Sequence, residues 1–275
     1  MLALVLVSGR IHSISLPRRS LKISVITAVY NNRSTIAEAI ESVLAQTHPL
    51  VELVVIDGGS TDGTLEVLAQ FEDRITVMVS EPDDGIYHAL NKGIALASGD
   101  VVGFLHSDDV FPDKDVLKRV AATLTTSSVD AVYGDLEYVQ RDDVSRIVRY
   151  WNSGAYSARK LRGGWMPPHP TFYARRDVYQ RLGGFDVSMR IAADYDCMLR
   201  FFQAGIAVAY ISRVQVRMRT GGASNRSLGN IIRKSREDYV ALRRNKVGGA
   251  WTLVSKNLRK LPQFFLRKSP DIKRT

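Results

Sequence analysis

Apolar runs that end in aspartate set the tightest limit on what this chain can fold into. Residues 51–56, 75–79 and 101–105 are largely apolar and rich in β-branched side chains. Each gives way within a few residues to acid, at Asp57, Asp83-Asp84 and Asp108-Asp109. A fourth acid, Asp194, follows Ile191-Ala192-Ala193. Continuous rather than alternating apolar runs are what a strand covered on both faces requires. In an open α/β sheet, loops leaving the carboxyl ends of such strands line one crevice, where ligands bind. Carboxylates gathered there must be paired, hydrogen-bonded or metal-bound, because an isolated buried charge is very costly. One acidic loop residue is an ordinary solvated turn. Their recurrence suits a divalent cation with a polyphosphate, or a general base for a hydroxyl.

The segments between the runs carry the helical period. Residues 23–29 form the first buried strand, and Ile36, Ile40, Val43 and Leu44 share one face of a helix over 34–46. Thr35 and Glu38 have the spacing of a capping box at its start. The alternation continues with helices over 64–71, 86–97 and 113–125 and a strand over 130–133, predicting a mostly parallel sheet with helices on both faces. After Gly134 the rhythm changes. A hairpin is expected from 136–140 and 145–150, then helices over 176–182 and 194–203, with extended segments over 206–211 and 215–219. Residues 2–7 read as a frayed extension or a short edge strand, too short to span a membrane. A signal peptide is not expected.

At 275 residues, the chain fits one elaborated domain or two small ones. Cys197 is the single cysteine, so no internal disulfide can form, and it reads as a small packing residue in a reducing compartment. The net charge of +10 is unevenly placed. Residues 226–275 hold 14 Lys and Arg against Glu237, Asp238 and Asp271, a net of +11, which leaves the rest near neutral. A basic tail can meet nucleic acid, anionic lipid or water. Nucleic acid is not expected, since no recognised binding motif accompanies the charge.

The segment Asp57-Gly58-Gly59-Ser60-Thr61-Asp62-Gly63-Thr64 follows a strand and opens a helix, where free N–H groups can meet an anion. It lacks both the G-x-G-x-x-G of dinucleotide folds and the Gly-Lys-Ser/Thr of a P-loop. Before it stands Ser24-Val25-Ile26-Thr27-Ala28-Val29-Tyr30-Asn31, and after it Ser80-Glu81-Pro82-Asp83-Asp84-Gly85-Ile86-Tyr87, Asn91-Lys92-Gly93-Ile94, His106-Ser107-Asp108-Asp109, Gly183-Gly184-Phe185-Asp186 and Ala193-Asp194-Tyr195-Asp196. Set in this order, the motifs resemble those of the bacterial family-2 glycosyltransferases, over about 200 residues from Ile23 to about Gly222.

That resemblance implies the GT-A fold and inverting transfer of a sugar from a nucleotide-sugar donor to a saccharide or lipid-linked acceptor, in cell-surface polysaccharide or glycolipid synthesis. It implies substrate contacts at Thr27, Val29, Tyr30, Asp57, Asp83, Asn91, Lys92 and His169, with Asp57 facing the base. Mn²⁺ or Mg²⁺ is implied at Asp108 and Asp109, where the family's metal-binding D-x-D sits, and Asp194 is implied as general base. The first D-x-D position here is His106, and Ala193 stands where the family often has Glu. These departures raise the alternative of a catalytically silent nucleotide-sugar-binding or scaffold protein. A metal-dependent hydrolase using His106, Asp108 and His169 is a third reading.

The implied organisation is an N-terminal extension (1–22), a catalytic domain (23–225) and a basic helical extension (226–275). The catalytic domain divides into a nucleotide-binding half (about 23–110) and an acceptor half (about 111–225). Within 251–268, Val254, Leu258, Leu261 and Phe265 fall at helical spacing beside basic residues, with Pro262 interrupting. Such a segment can lie on an anionic membrane or pack on the domain. The expected location is cytoplasmic, or peripheral on the inner face of the cytoplasmic membrane.

Overall fold

The apolar runs become strands of one sheet, and the amphipathic stretches become helices on its two faces. The computed structural model describes residues 2–7, 10–15, 20–221 and 228–259. Strands β1 (Leu2–Val7) and β2 (Arg10–Ser15) pair antiparallel as a separate two-stranded sheet, so 2–7 is not an edge strand of the main one. Strands β3 (Ile23–Val29), β4 (Val51–Asp57), β5 (Val77–Ser80) and β6 (Val101–Phe104) run parallel in the order β6-β3-β4-β5. Helices α1 (Ile36–Leu44), α2 (Thr64–Ala69) and α3 (Ile86–Leu96) link them.

Past β6, helix α4 (Val116–Ser127) leads into β7 (Ala131–Val139), and the sheet extends in the order β6-β9-β7-β10. Strand β9 (Tyr173–Arg175) lies antiparallel between β6 and β7, while β10 (Val208–Arg219) is parallel to β7. Strand β8 (Ile147–Trp151) folds back on β7 as the expected hairpin. The segments read separately as 130–133 and 136–140 are therefore one strand. Likewise 206–211 and 215–219 lie on one strand, whose register shifts between Ile211 and Val216. Helices α5 (Ala158–Arg162), α6 (Arg176–Leu182) and α7 (Ala193–Gln203) complete the catalytic part, and α8 (Leu228–Arg244) and α9 (Ala250–Leu258) follow.

Side-chain alternation divides the core in two. From β3, Ile26 and Ala28 join Tyr87, Ala89 and Leu90 of α3 and much of α7 on one face. Ile23, Val25 and Val29 face the other way, against Ile36, Ile40 and Val43 of α1 and Val116, Val120 and Leu124 of α4. The central strands are thus buried on both sides, which is why their sequences lack polar alternation. The expected capping box does not form. Thr35 instead donates to Asn32 Oδ1 and to the Ser107 carbonyl, both at 2.9 Å, and Glu38 pairs with Arg219.

Candidate active site

The carboxyl ends of β3, β4 and β5 hold the first group of acids. Asp57 closes β4 and is wholly buried. Its Oδ2 accepts from the Gly59 and Ser60 N–H groups at 3.0 Å and from Ser80 Oγ at 2.7 Å. Its Oδ1 has no partner among the described residues. A carboxylate fixed by three donors on one oxygen presents the other as a rigid acceptor. Beside it, Asn31 leaves β3 with a left-handed φ of 46°, a conformation asparagine tolerates. Its N–H donates to Ser60 Oγ and its Oδ1 accepts from the Thr61 N–H, each at 2.8 Å, lacing the two loops together. Tyr30 is 65% exposed, its ring over Gly58, where an added Cβ would stand 3.4 Å from Cδ2.

Other expected substrate contacts are placed differently. Thr27 is buried in mid-strand, and the Val29 side chain packs in the core while its carbonyl accepts from the Gly58 N–H at 2.9 Å. Asn91 was expected at the substrate, but its amide locks the backbone of Phe185, donating to the carbonyl and accepting from the N–H at 2.8 Å. Lys92 pairs with Asp83 at 2.8 Å and Glu81 at 2.6 Å, and these hydrogen bonds raise its pKa. Asp83 Oδ2 is buried and unpartnered among the described residues.

The turn after β6 places His106 and Asp108. It is stapled to β10 by a bridge between Val110 and Arg217 and by the Arg219 guanidinium, which donates to the Asp108 carbonyl at 2.8 Å and the Arg141 carbonyl at 2.9 Å. Arg219 is only 5% exposed, and nothing in the local sequence marks it. Asp109 is buried beneath the turn, 1% exposed. Its Oδ1 accepts from the Arg219 N–H at 3.2 Å, and burial together with Asp108 pushes its pKa well up. The half-buried Asp108 carboxylate is therefore the group better placed to meet a cation as a charged ligand, while Asp109 keeps only its Oδ2 unpartnered among the described residues. Among the described residues no three His, Cys, Asp or Glu side chains gather to hold a metal by themselves. The hydrolase reading thus loses its ligand set of His106, Asp108 and His169. A lone carboxylate matches an ion that keeps waters and shares substrate phosphates.

Across the crevice lies Asp194, in the first turn of α7. Ala192 is the N-cap, and Asp194 is the second residue of the helix. Tyr87 Oη lies 2.8 Å from the Ile191 carbonyl and 3.2 Å from Asp194 Oδ1. Burial works to raise the Asp194 pKa. His169, once protonated, together with Lys234, the Tyr195 N–H and Lys256 outweighs it, holding the carboxyl below its ordinary value. His169 is 8% exposed, stacked among Phe104, His106 and Phe185, with Nε2 unpartnered among the described residues. Burial holds its imidazole at about 4, and His106 is lowered for the same reason, so both are neutral at neutral pH. Of this cluster, Tyr87 and its link to Asp194 escaped sequence reading, although it ends the Asp83-Asp84 motif. Cys197 is buried and its thiol is pushed up to about 12, which suits a packing role.

The basic extension is anchored to this domain by Ala241, Leu242 and Val247, which are buried in the shared core, and by polar contacts. Thr252 and Ser255 donate to the carbonyls of Arg162 and Gly163 at 3.2 and 2.8 Å, and Lys256 pairs with Asp238 at 2.7 Å over the Tyr195 ring. Trp251, Val254 and Leu258 face outward, Trp251 at 80% exposure. Leu261, Pro262 and Phe265 lie outside the described residues. No helix among the described residues is long and apolar enough to cross a membrane.

Comparison with known proteins agrees with this architecture. A glycosyltransferase of Mycobacterium tuberculosis is 35% identical over 181 residues, covering 65% of this chain and 68% of the relative. A PGL/p-HBAD biosynthesis glycosyltransferase of Mycobacterium bovis is 30% identical over 208 residues, covering 74% and 78%. The mannosyltransferase PcManGT of Pyrobaculum calidifontis, solved with GDP-Man and Mn²⁺, superposes with a TM-score of 0.64 at 20% identity, covering 90% of this chain and 74% of that one. The sequence profile described as Glycosyl transferase family 2 matches residues 24–189. With its mostly parallel sheet, its acids at the strand ends and these matches, the chain belongs to glycosyl transferase family 2 and has the GT-A fold.

Proposed function

We propose that this glycosyltransferase transfers a sugar from a nucleotide diphosphate donor to a saccharide or lipid-linked acceptor, inverting the anomeric carbon. The observation that carries the reading is the placement of the buried Asp194 carboxylate in the first turn of α7, 3.2 Å from Tyr87 Oη and near enough to His106 and His169 to shift their pKa values, with open acceptor oxygens on Asp57 and Asp83. Asp57 Oδ1 accepts from an N–H on the base edge, with Tyr30 alongside. Asp83 and Lys92 flank the nucleotide, and His169 Nε2 is free to bond a donor phosphate or the acceptor. Asp194 takes the acceptor hydroxyl's proton as its oxygen bonds to the anomeric carbon and the bond to the diphosphate breaks. A single displacement inverts that carbon. Asp108 would hold Mn²⁺ or Mg²⁺ with the diphosphate, and the cation supplies charge neutralisation for the leaving group.

The exposed Trp251, Val254 and Leu258, in a segment of net charge +11, support docking on an anionic lipid surface. This fits a lipid-linked acceptor and a cell-surface glycan or glycolipid product. Incubation with UDP-, GDP-, TDP- and CDP-sugars and Mn²⁺ tests the activity. One donor is expected to release nucleoside diphosphate slowly alone and faster with acceptor. Tight binding without turnover on any donor and acceptor would favour a silent binding protein.

A further inference from the structure

The loop that delivers Asp194 is gripped by a side chain from the extension. Glu237, on α8, accepts from three successive backbone N–H groups: Arg190 at 3.1 Å on Oε1, and Ile191 at 2.8 Å and Ala192 at 2.9 Å on Oε2. Three N–H groups converging on one carboxylate form a charge-assisted cradle, which fixes the peptide planes more firmly than neutral partners do. On its other side the loop is held by Tyr87, whose hydroxyl meets the Ile191 carbonyl. Ala192 is the N-cap of α7, and Asp194 stands two residues later in its first turn. The helix start, and with it the Asp194 carboxylate, is thus set by peptide groups that Glu237 and Tyr87 hold between them.

Glu237 is itself firmly placed. Asn245 of the α8–α9 connection donates to Asp196 Oδ1 at 2.7 Å, and Arg244 pairs with Asp186. One residue past Glu237, Asp238 pairs with Lys256 over the Tyr195 ring. These ties join α8 and α9 to both flanks of the 190–192 loop. The segment that matches the family profile ends at residue 189, so both Asp194 and its holder lie beyond it.

We infer that Glu237 is a positioning residue for the transfer reaction, acting through the backbone of residues 190–192 to set where the Asp194 carboxylate stands against the acceptor hydroxyl. This rests on Asp194 being the general base. A displacement of about 1 Å at a reacting group can cost ~10²-fold in rate without changing what is bound. Glu237→Gln keeps the length and one acceptor oxygen but turns an N–H donor toward the N–H groups. It should lower kcat by roughly 10–100-fold while leaving donor KM and the donor-induced thermal shift unchanged. Glu237→Asp, which keeps the charge, should recover part of the loss.

The deciding measurement is the double variant. If Glu237 acts through the base, Glu237→Gln should cost little further activity in an Asp194→Asn background, because coupled residues are non-additive. Equal fold-losses in both backgrounds, or a kcat loss that tracks a lowered Tm across all three Glu237 variants (Gln, Asp and Ala), would overturn the inference in favour of a purely structural role. Full turnover by Glu237→Gln with Asp194→Asn inactive overturns it alone. Near-normal turnover by Asp194→Asn would instead sink the base assignment beneath it.

Discussion

Asp57 shows what one residue can and cannot reveal in advance. Its place after an apolar run marks a strand end, but only the structure separates its two oxygens, one holding three donors and one left open. Asp194 is the sharper case. Asp194→Asn keeps size and hydrogen-bonding reach yet removes basicity, so transfer should fall by roughly 10²–10⁴-fold while donor affinity holds. Steady-state kinetics beside a donor-binding titration checks this, and loss of donor affinity and stability together would contradict it. His169 carries a pH prediction. Its folded pKa of about 4 lies below the ordinary 6.5, so the unfolded chain takes up the proton first. Its stability contribution is full above pH 6.5 and lost as pH falls toward 4. By this linkage it should cost ~2 kcal/mol at pH 5. Urea midpoints at pH 7.5 and 5 should therefore differ more for the natural protein than for His169→Gln. Equal differences would refute it.

Between elements, legibility depended on sequence distance. Strands β3, β4 and β6 follow from apolar runs and local spacing, whereas β9 is three residues long and follows a proline-rich turn, leaving no period to detect. Its trace lies elsewhere: a Cβ at Gly103 would meet the Tyr173 ring at 2.1 Å, so a glycine inside β6 marks the close approach of a strand about seventy residues later. The capping box failed for a similar reason, because Glu38 is claimed by Arg219, far along the chain. Arg219 ties the Asp108 turn to the Arg141 carbonyl, donating to both. Arg219→Met should cost ~2–4 kcal/mol by urea denaturation, since buried acceptors lose charged donors at about 1–3 kcal/mol each. It should also blunt the gain in donor affinity on adding Mn²⁺. In the natural protein, equal donor affinity in EDTA and in Mn²⁺ would remove Asp108 from cation binding.

At the scale of the whole molecule, charge and packing divide the labour. The extension buries Ala241, Leu242 and Val247 in the domain core and adds polar ties, while Trp251, Val254 and Leu258 turn outward, an orientation that helical spacing alone does not specify. Truncation after residue 249 should therefore lower Tm, since it removes Lys256 from Asp238. Replacing Trp251 and Leu258 together with serine should instead weaken sedimentation with anionic liposomes and leave Tm unchanged. High salt should release the natural protein, with roughly 1 kcal/mol per basic residue at stake near the surface. Indifference of liposome binding to both treatments would remove the lipid surface from the proposal. Strand order has a further consequence, in time. Strands β6 and β7 are not hydrogen-bonded to each other and meet only through β9. As the chain leaves the ribosome, β3 to β6 can pair early, yet β7 must wait some forty residues for the short strand that bridges it to them. Pulse-labelled hydrogen exchange during refolding should find β3 to β6 protected first and β7 last, so that the crevice between them is completed only at the end.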